Sequence, residues 1–218
     1  MRINSYIASA TGLSRRKADL LIESGLVYID GKIAKIGMNV DEKNNITIDN
    51  QPIKINQKEM TLIINKPTGY VVSRNGQGAR TIYDLLPEKY STLKPVGRLD
   101  KDSSGLMLLT NNGLLANNLA HPSKHKVKNY QVKLNKPISE DDIKRINNGV
   151  TLDDGVSHIF IKKIDSKNQI MTINMSEGKN RQIRRTFAKL NYEVTYLHRT
   201  EFGEYKIGDL EPGEYQLC

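Results

Sequence analysis

The order of apolar patterns predicts an α+β protein with a mostly antiparallel, mixed sheet. Three observations carry that expectation. Strand-like runs follow one another without intervening helices, turn signals punctuate them at short intervals, and a helix-helix-strand pattern at the N-terminus precedes a separate buried-strand run. The 218 residues suit a small domain joined to a larger one, and 38% hydrophobic with 26% charged residues describes a globular chain.

Ile3, Tyr6, Ile7 and Ala10 recur at helical spacing until Gly12 interrupts. Ser14 is an N-cap for a second helix with Ala18, Leu21 and Ile22 inside and Gly25 at the C′ position. Val27, Tyr28 and Ile29 read as a strand, Asp30-Gly31 as a hairpin turn, and Ile46-Thr47-Ile48 as a strand closed by Asp49-Asn50. Residues 1–50 are therefore expected as one small domain, 51–58, with Pro52, as a linker, and 59–218 as the larger domain. In the latter, Met60-Thr61-Leu62-Ile63-Ile64 is a buried-strand pattern, 71–73 a second strand, and 74–80 a mobile basic loop. A polar loop at 97–105 runs directly into an apolar strand at 106–110. Asn112-Gly113 turns the chain into a helix at 114–120, stopped by His121-Pro122. Tyr130, Val132 and Leu134 alternate as a strand. Ser139 caps a helix that Gly149 ends, and Asp154-Gly155 turns. Residues 170–175 alternate as a late strand, and 180–190 form a helix with Ile183, Phe187 and Leu190 on one side.

Charge narrows the function. Thirty-three Lys+Arg against 24 Asp+Glu give +9, which suits a polyanionic partner such as nucleic acid, although a lysine-rich proteome produces the same balance. Cys218 is the sole cysteine, so an internal disulfide framework and a cysteine-based zinc site are excluded, and a reducing compartment fits. No run is apolar enough for a signal peptide or a membrane span, so a cytoplasmic location is expected. His121, His125, His158 and His198 lack metal-binding spacing, and no glycine-rich phosphate loop is present. Neither a metal nor a nucleotide cofactor is expected.

Asp100 and Asp102 lie in a loop just before a buried strand, where a carboxylate serves as nucleophile, base or plain turn former. On the late helix, Arg181, Arg185 and Lys189 fall on the outer stripe, either a solvated face or phosphate contacts. Arg184 lies roughly 90° from the apolar stripe and is the arginine best placed to enter a pocket and pair with a carboxylate. Arg15, Arg16 and Lys17 start the second helix, which is a phosphate site or a solvated charge run. Tyr130 follows Lys126 and Lys128 and either stacks on an extruded base or fills a core.

At these residues the chain resembles a known family. Gly97-Arg98-Leu99-Asp100-Lys101-Asp102-Ser103-Ser104-Gly105-Leu106, followed by Leu108-Leu109-Thr110-Asn111-Asn112-Gly113, looks like the signature of the RsuA-type ribosomal RNA pseudouridine synthases. Lys128-Asn129-Tyr130, Glu177-Gly178-Lys179-Asn180-Arg181-Gln182-Ile183-Arg184-Arg185, and Leu197-His198-Arg199 with the closing Gly208-Asp209-Leu210 and Pro212-Gly213-Glu214 agree in the expected order. Ser14-Arg15-Arg16-Lys17-Ala18, Gly25-Leu26-Val27 and Asp30-Gly31-Lys32 are similar to an S4 RNA-binding domain. Ser104 and Asn112 stand where the family usually has Thr and Asp; the hydroxyl and the turn propensity are kept.

The resemblance implies a pseudouridine-synthase fold with a catalytic cleft, preceded by an S4 domain. It implies Asp100 as the catalytic aspartate, Tyr130 as the base-stacking tyrosine and Arg184 as the arginine paired with the aspartate. RNA contacts are expected from Arg15, Arg16, Lys17, Arg98, Lys128, Arg181, Arg185 and Lys189. The implied reaction isomerises a flipped-out uridine of ribosomal RNA without a cofactor, with large-subunit 23S RNA favoured over 16S because of Lys101-Asp102-Ser103. A monomer is the simple default. A non-catalytic ribosomal-RNA-binding assembly factor is the alternative. A glycoside hydrolase using Asp100 and Asp102 fits poorly, since a basic chain is ill matched to a neutral sugar.

Overall fold

A computed structural model describes residues 1–55, 58–165, 167 and 169–218. The chain divides into two compact units, Met1–Glu59 and Met60–Cys218.

In the first unit, helices α1 (Ile3–Thr11) and α2 (Arg15–Glu23) precede strands β1 (Val27–Ile29), β2 (Lys32–Ile33), β3 (Ile46–Ile48) and β4 (Gln51–Pro52). Local chemistry accounts for each boundary. Gly12 ends α1 in the left-handed region at φ 77°, and the Ser14 hydroxyl caps α2 by accepting the Lys17 N–H at 3.2 Å. Both residues of Asp30-Gly31 and of Asp49-Asn50 have positive φ, so each pair closes a tight hairpin whose twist matches its strands. Ile3, Ile7, Ala18, Ile22, Val27 and Ile46 bury the apolar faces together. The stretch expected as a linker therefore needs correcting at its start. Gln51 and Pro52 pair with Ile48 and Thr47, and Ile53 packs on this core. Asn56 and Gln57 of the same stretch lie outside the described residues.

The second unit is built on β5 (Thr61–Lys66), β6 (Lys94–Pro95), β7 (Ser104–Thr110), α3 (Gly113–Ala120), β8 (Lys128–Leu134), α4 (Glu140–Asn148), β9 (Val150–Leu152), β10 (Gly155–Ser157), β11 (Phe160–Ile164), β12 (Ile170–Met175), α5 (Gln182–Ala188), β13 (Val194–Phe202), β14 (Tyr205–Lys206) and β15 (Tyr215–Leu217). Among the described residues a nine-stranded sheet runs β11-β12-β8-β13-β7-β5-β15, with β14 on β13 and β6 on β7. Every pairing in it is antiparallel except that of β13 with β7. The predicted α+β class with a mostly antiparallel sheet is what forms.

Strand β7 is buried along its whole length because both of its faces are covered. Met107 and Leu109 join the main core with Ile64, Val132 and Phe187, while Leu106 and Leu108 meet Ile63, Val96 and Leu119. Two expectations change. Residues 71–73 form no strand beyond a bridge from Val71 to Thr81. The late helix is shorter than 180–190, and Arg181 is its N-cap, in the left-handed region at φ 45°. The central strand β13 has no reading in the sequence, because irregularities at Val194/Tyr196 and Arg199/Glu201 break its two-residue period.

Candidate active site

Asp100 sits in the loop between β6 and β7, and that loop is pinned from below. Lys66, at the end of β5, is fully buried. Its ammonium donates to the carbonyls of Ser103 at 2.6 Å, Pro67 at 3.0 Å and Asp100 at 3.1 Å. The Ser103 N–H closes the turn onto the Asp100 carbonyl at 3.1 Å, and the Gly69 N–H holds the Lys101 carbonyl at 2.7 Å. All three Lys66 donors are spent on backbone.

Asp102 anchors the other side. Arg181 grips its carboxylate with two hydrogen bonds, at 3.0 and 3.1 Å. Arg184 brings Nε to 3.2 Å from the same carboxylate and donates Nη2 to the Asp102 carbonyl at 2.9 Å and Nη1 to the Val194 carbonyl at 2.6 Å. The Arg181 hydrogen bonds, followed by the Arg184 charge, outweigh burial and hold the Asp102 carboxyl below its ordinary value. The expected pairing of Arg184 with Asp100 is corrected here. Arg184 pairs with Asp102, whereas Arg181 reaches Asp100, 3.7 Å from its Oδ2. The left-handed turn at Arg181 takes that side chain off the helix stripe that its spacing suggests.

A cavity of about 330 Å³ opens beside the loop, lined by Leu99, Asp100, Tyr130, Ile183, Leu197 and Arg199 among others. This is the small end of the size range of ligand pockets. Tyr130 on β8 and Leu197 on β13 are nearly fully buried and form apolar wall. Arg98, Lys128, Arg181 and Arg184 also border the cavity. Arg185 does not, since it is tied to Asp154 by two hydrogen bonds at 2.8 and 2.9 Å, and Lys189 is the exposed C-cap of α5. Arg15, Arg16 and Lys17 are exposed at the start of α2 in the first unit.

Three positions that shape the site have no role assigned in the sequence reading, although two of them stand within its motifs. Lys66 was one; a lysine ending an otherwise apolar strand was its only signal. Glu177 is the second: it accepts the His158 N–H at 2.7 Å and the Gln182 amide, which locks the turn before α5. Arg199, buried in the cavity wall, is the third.

Burial, opposed by Asp100 and Asp102, lowers the Lys66 ammonium to about 8, and burial with the Arg199 charge, opposed by Glu177, lowers Lys128 to about 8. Both folded values lie below the ordinary lysine value of 10.5, so the unfolded chain binds more protons between these limits. Each lysine then adds stability as pH rises from about 8 toward 10.5 and imposes a constant penalty below that window. Lysine ¹³Cε NMR is expected to show two midpoints near pH 8, one lost in Lys66→Met and the other in Lys128→Met. Midpoints near 10.5 for both would refute the desolvated environments.

Residues 60–189 match the family described as RNA pseudouridylate synthase, and residues 1–46 match the S4 domain. The chain is 36% identical to the dual-specificity RNA pseudouridine synthase RluF of Escherichia coli, over 99% of this chain and 74% of that protein. Identity to the ribosomal large subunit pseudouridine synthase B of Bacillus subtilis is 31%, over 98% of this chain and 90% of the relative. A crystal structure of a pseudouridylate synthase, 29% identical, superposes with a TM-score of 0.73 and covers 100% of this chain and 96% of its own.

Proposed function

This chain belongs to the RNA pseudouridylate synthase family, and we propose from that premise that it converts a specific uridine of ribosomal RNA to pseudouridine with Asp100 as the catalytic carboxylate. One observation carries the assignment of the site: Asp100 lies on the wall of a basic cavity, on a loop whose backbone is held by a buried lysine. Binding alone has no use for a carboxylate facing RNA. Large-subunit RNA is the favoured substrate, supported by the names of the relatives and by Lys101-Asp102-Ser103.

The reaction breaks the N1–C1′ bond, turns the uracil, joins C5 to C1′ and moves the C5 proton away as N1 gains one. Asp100 attacks C1′, or it removes the C2′ proton to give a glycal; a 2′-deuterium isotope effect on the rate distinguishes the glycal route. Arg181, 3.7 Å from Asp100 and bound to Asp102, keeps the carboxylate oriented in the cavity. Tyr130 stacks on the flipped base, which contributes about 1–3 kcal/mol toward the few kcal/mol that unstacking costs. Arg98, Lys128, Arg181 and Arg184 receive the adjoining backbone. Arg185 and Lys189 lie outside the cavity and serve phosphates further along the strand, with Arg185 held back by Asp154.

The test is to incubate 16S and 23S transcripts with the protein and map pseudouridine by carbodiimide labelling and primer extension. One new stop in 23S RNA is expected. If RNA from a knockout strain retains every pseudouridine, the chain is a binding factor rather than an isomerase on these RNAs.

The S4 unit adds non-specific grip through Arg16 and Lys17, both exposed at the α2 start. The double variant Arg16→Ala, Lys17→Ala is expected to weaken RNA binding and lower the slope of log K against log salt by roughly 1 per residue. An unchanged slope in filter-binding titrations would remove both residues from the interface.

A further inference from the structure

We propose that Arg199 and Lys128 form a phosphodiester-binding subsite in the wall of the Asp100 cavity, gripping a linkage that flanks the target nucleotide. The inference rests on the RNA-isomerase reading and names the part of the substrate these residues hold.

Arg199 is 2% exposed. Its Nε donates to the Leu106 carbonyl at 2.8 Å, its Nη2 meets Met107 Sδ at 3.0 Å, and its guanidinium lies 5.0 Å from the Phe202 ring centroid. A guanidinium has five N–H donors, and these contacts use two of them. Lys128 sits 5.2 Å from the same ring and donates only to the carbonyls of Glu177 at 3.2 Å and Lys126 at 3.4 Å. Among the described residues neither cation has a carboxylate within ion-pair distance.

Apart from the exposed Arg98, their neighbours differ. Arg181 and Arg184 have Asp102, Lys179 has Glu177, and Lys126 has Glu204. Lys66 also lacks a carboxylate, but its donors are filled by three carbonyls and it does not line the cavity. Arg199 is buried and Lys128 half-buried; a buried cation without a close counter-charge is destabilising, and the neighbouring Lys128 repels it as well. Burial and the Arg199 charge, opposed by Glu177, lower the Lys128 ammonium to about 8, so Lys128 is still largely cationic at neutral pH. Glu177 and Asp100 line the same cavity, but neither carboxylate comes within ion-pair distance of Arg199 or Lys128, which leaves both cations able to take up an anion. The substrate brings a phosphodiester on each side of the flipped nucleoside, and its paired oxygens match the guanidinium fork in a setting that strengthens charge-assisted bonds.

The test uses an RNA oligonucleotide spanning the mapped uridine, with the linkage 5′ or 3′ of that uridine natural or a neutral methylphosphonate. Wild-type protein, Arg199→Met and Lys128→Met are compared in KM and kcat, with melting temperature as a fold control. Each variant is expected to raise KM about tenfold or more on natural RNA. One methylphosphonate should impose a similar loss on wild type and almost none on the variants, because the contact is already gone. Losses that multiply independently would overturn the proposal, and so would a wild type indifferent to both neutral linkages. Should Arg199→Met fail to fold, Lys128→Met and the wild-type arm decide the matter.

Failure of the isomerase reading is visible separately, as the absence of any pseudouridine in any RNA. In that case inorganic phosphate alone is the probe. It should raise the wild-type Lys128 midpoint in lysine NMR, and a midpoint that stays near 8 in high phosphate overturns the subsite.

Discussion

Asp100→Asn is expected to reduce isomerisation by roughly 10⁴-fold or more while the protein stays folded. The amide keeps the size and hydrogen-bonding shape of the carboxylate but can neither attack C1′ nor take the C2′ proton. Little of the fold depends on that side chain. It is about one-third exposed, and its ion-pair contact is Arg181 at 3.7 Å, while the Asp100 carbonyl, which Lys66 holds, is untouched. The loop therefore survives the substitution. The measurement is single-turnover conversion of the mapped transcript, beside a thermal melt of the same preparation. A variant that converts RNA within about tenfold of wild type would exclude Asp100 as the reacting group and move attention to Asp102. Asp102 is the weaker candidate because Arg181 and Arg184 already engage its oxygens.

Gly105→Ala is expected to be a strongly disruptive single-methyl addition within the sheet. Gly105 pairs with Arg199 where β7 and β13 run parallel. A Cβ at this position would lie 2.3 Å from the Arg199 carbonyl oxygen and 2.5 Å from its nitrogen, both backbone atoms of a central strand that cannot step aside. The residue also adopts φ +105°, which L-residues rarely take. Strain of about 1–3 kcal/mol from each source suggests a loss near 4 kcal/mol and a fall in melting temperature of about 8–16 °C. Gly113→Ala is the control. That glycine opens α3, has no atom within 4 Å of the new methyl, and needs no positive φ, so a small gain in stability is expected. Equal melting temperatures for Gly105→Ala and wild type would mean that β7 and β13 can separate without cost. The effect would reach the site too, because this pairing positions Arg199 beside the cavity.

The division between what was legible and what was not follows the range of the interactions. Short-range chemistry was readable: the Ser14 cap, the Asp30-Gly31 and Asp49-Asn50 turns, the Ser139 cap, and the loop that delivers Asp100 into an apolar strand. Each depends on residues within a few positions of one another, so the amino-acid order states it directly. The charged network was not readable. The bonds that join Asp102 to Arg181 and Arg184 span 79 and 82 residues; helical spacing placed Arg184 at a pocket beside a carboxylate, but that carboxylate is Asp102, and the arginine the resemblance assigned to Asp100 is replaced there by Arg181. A left-handed turn at Arg181 redirects its side chain, and nothing in local propensity demands such a turn in an arginine. Strand β13 escaped for a related reason, since its irregular pairing with β8 erases the alternation that marks a strand. By itself the sequence determined the class of fold, the two-part layout and the family signature around Asp100. Only the tertiary structure decided which cations have a carboxylate within ion-pair distance and which, like Arg199 and Lys128, do not, because a counter-ion is a neighbour in space and not in the chain.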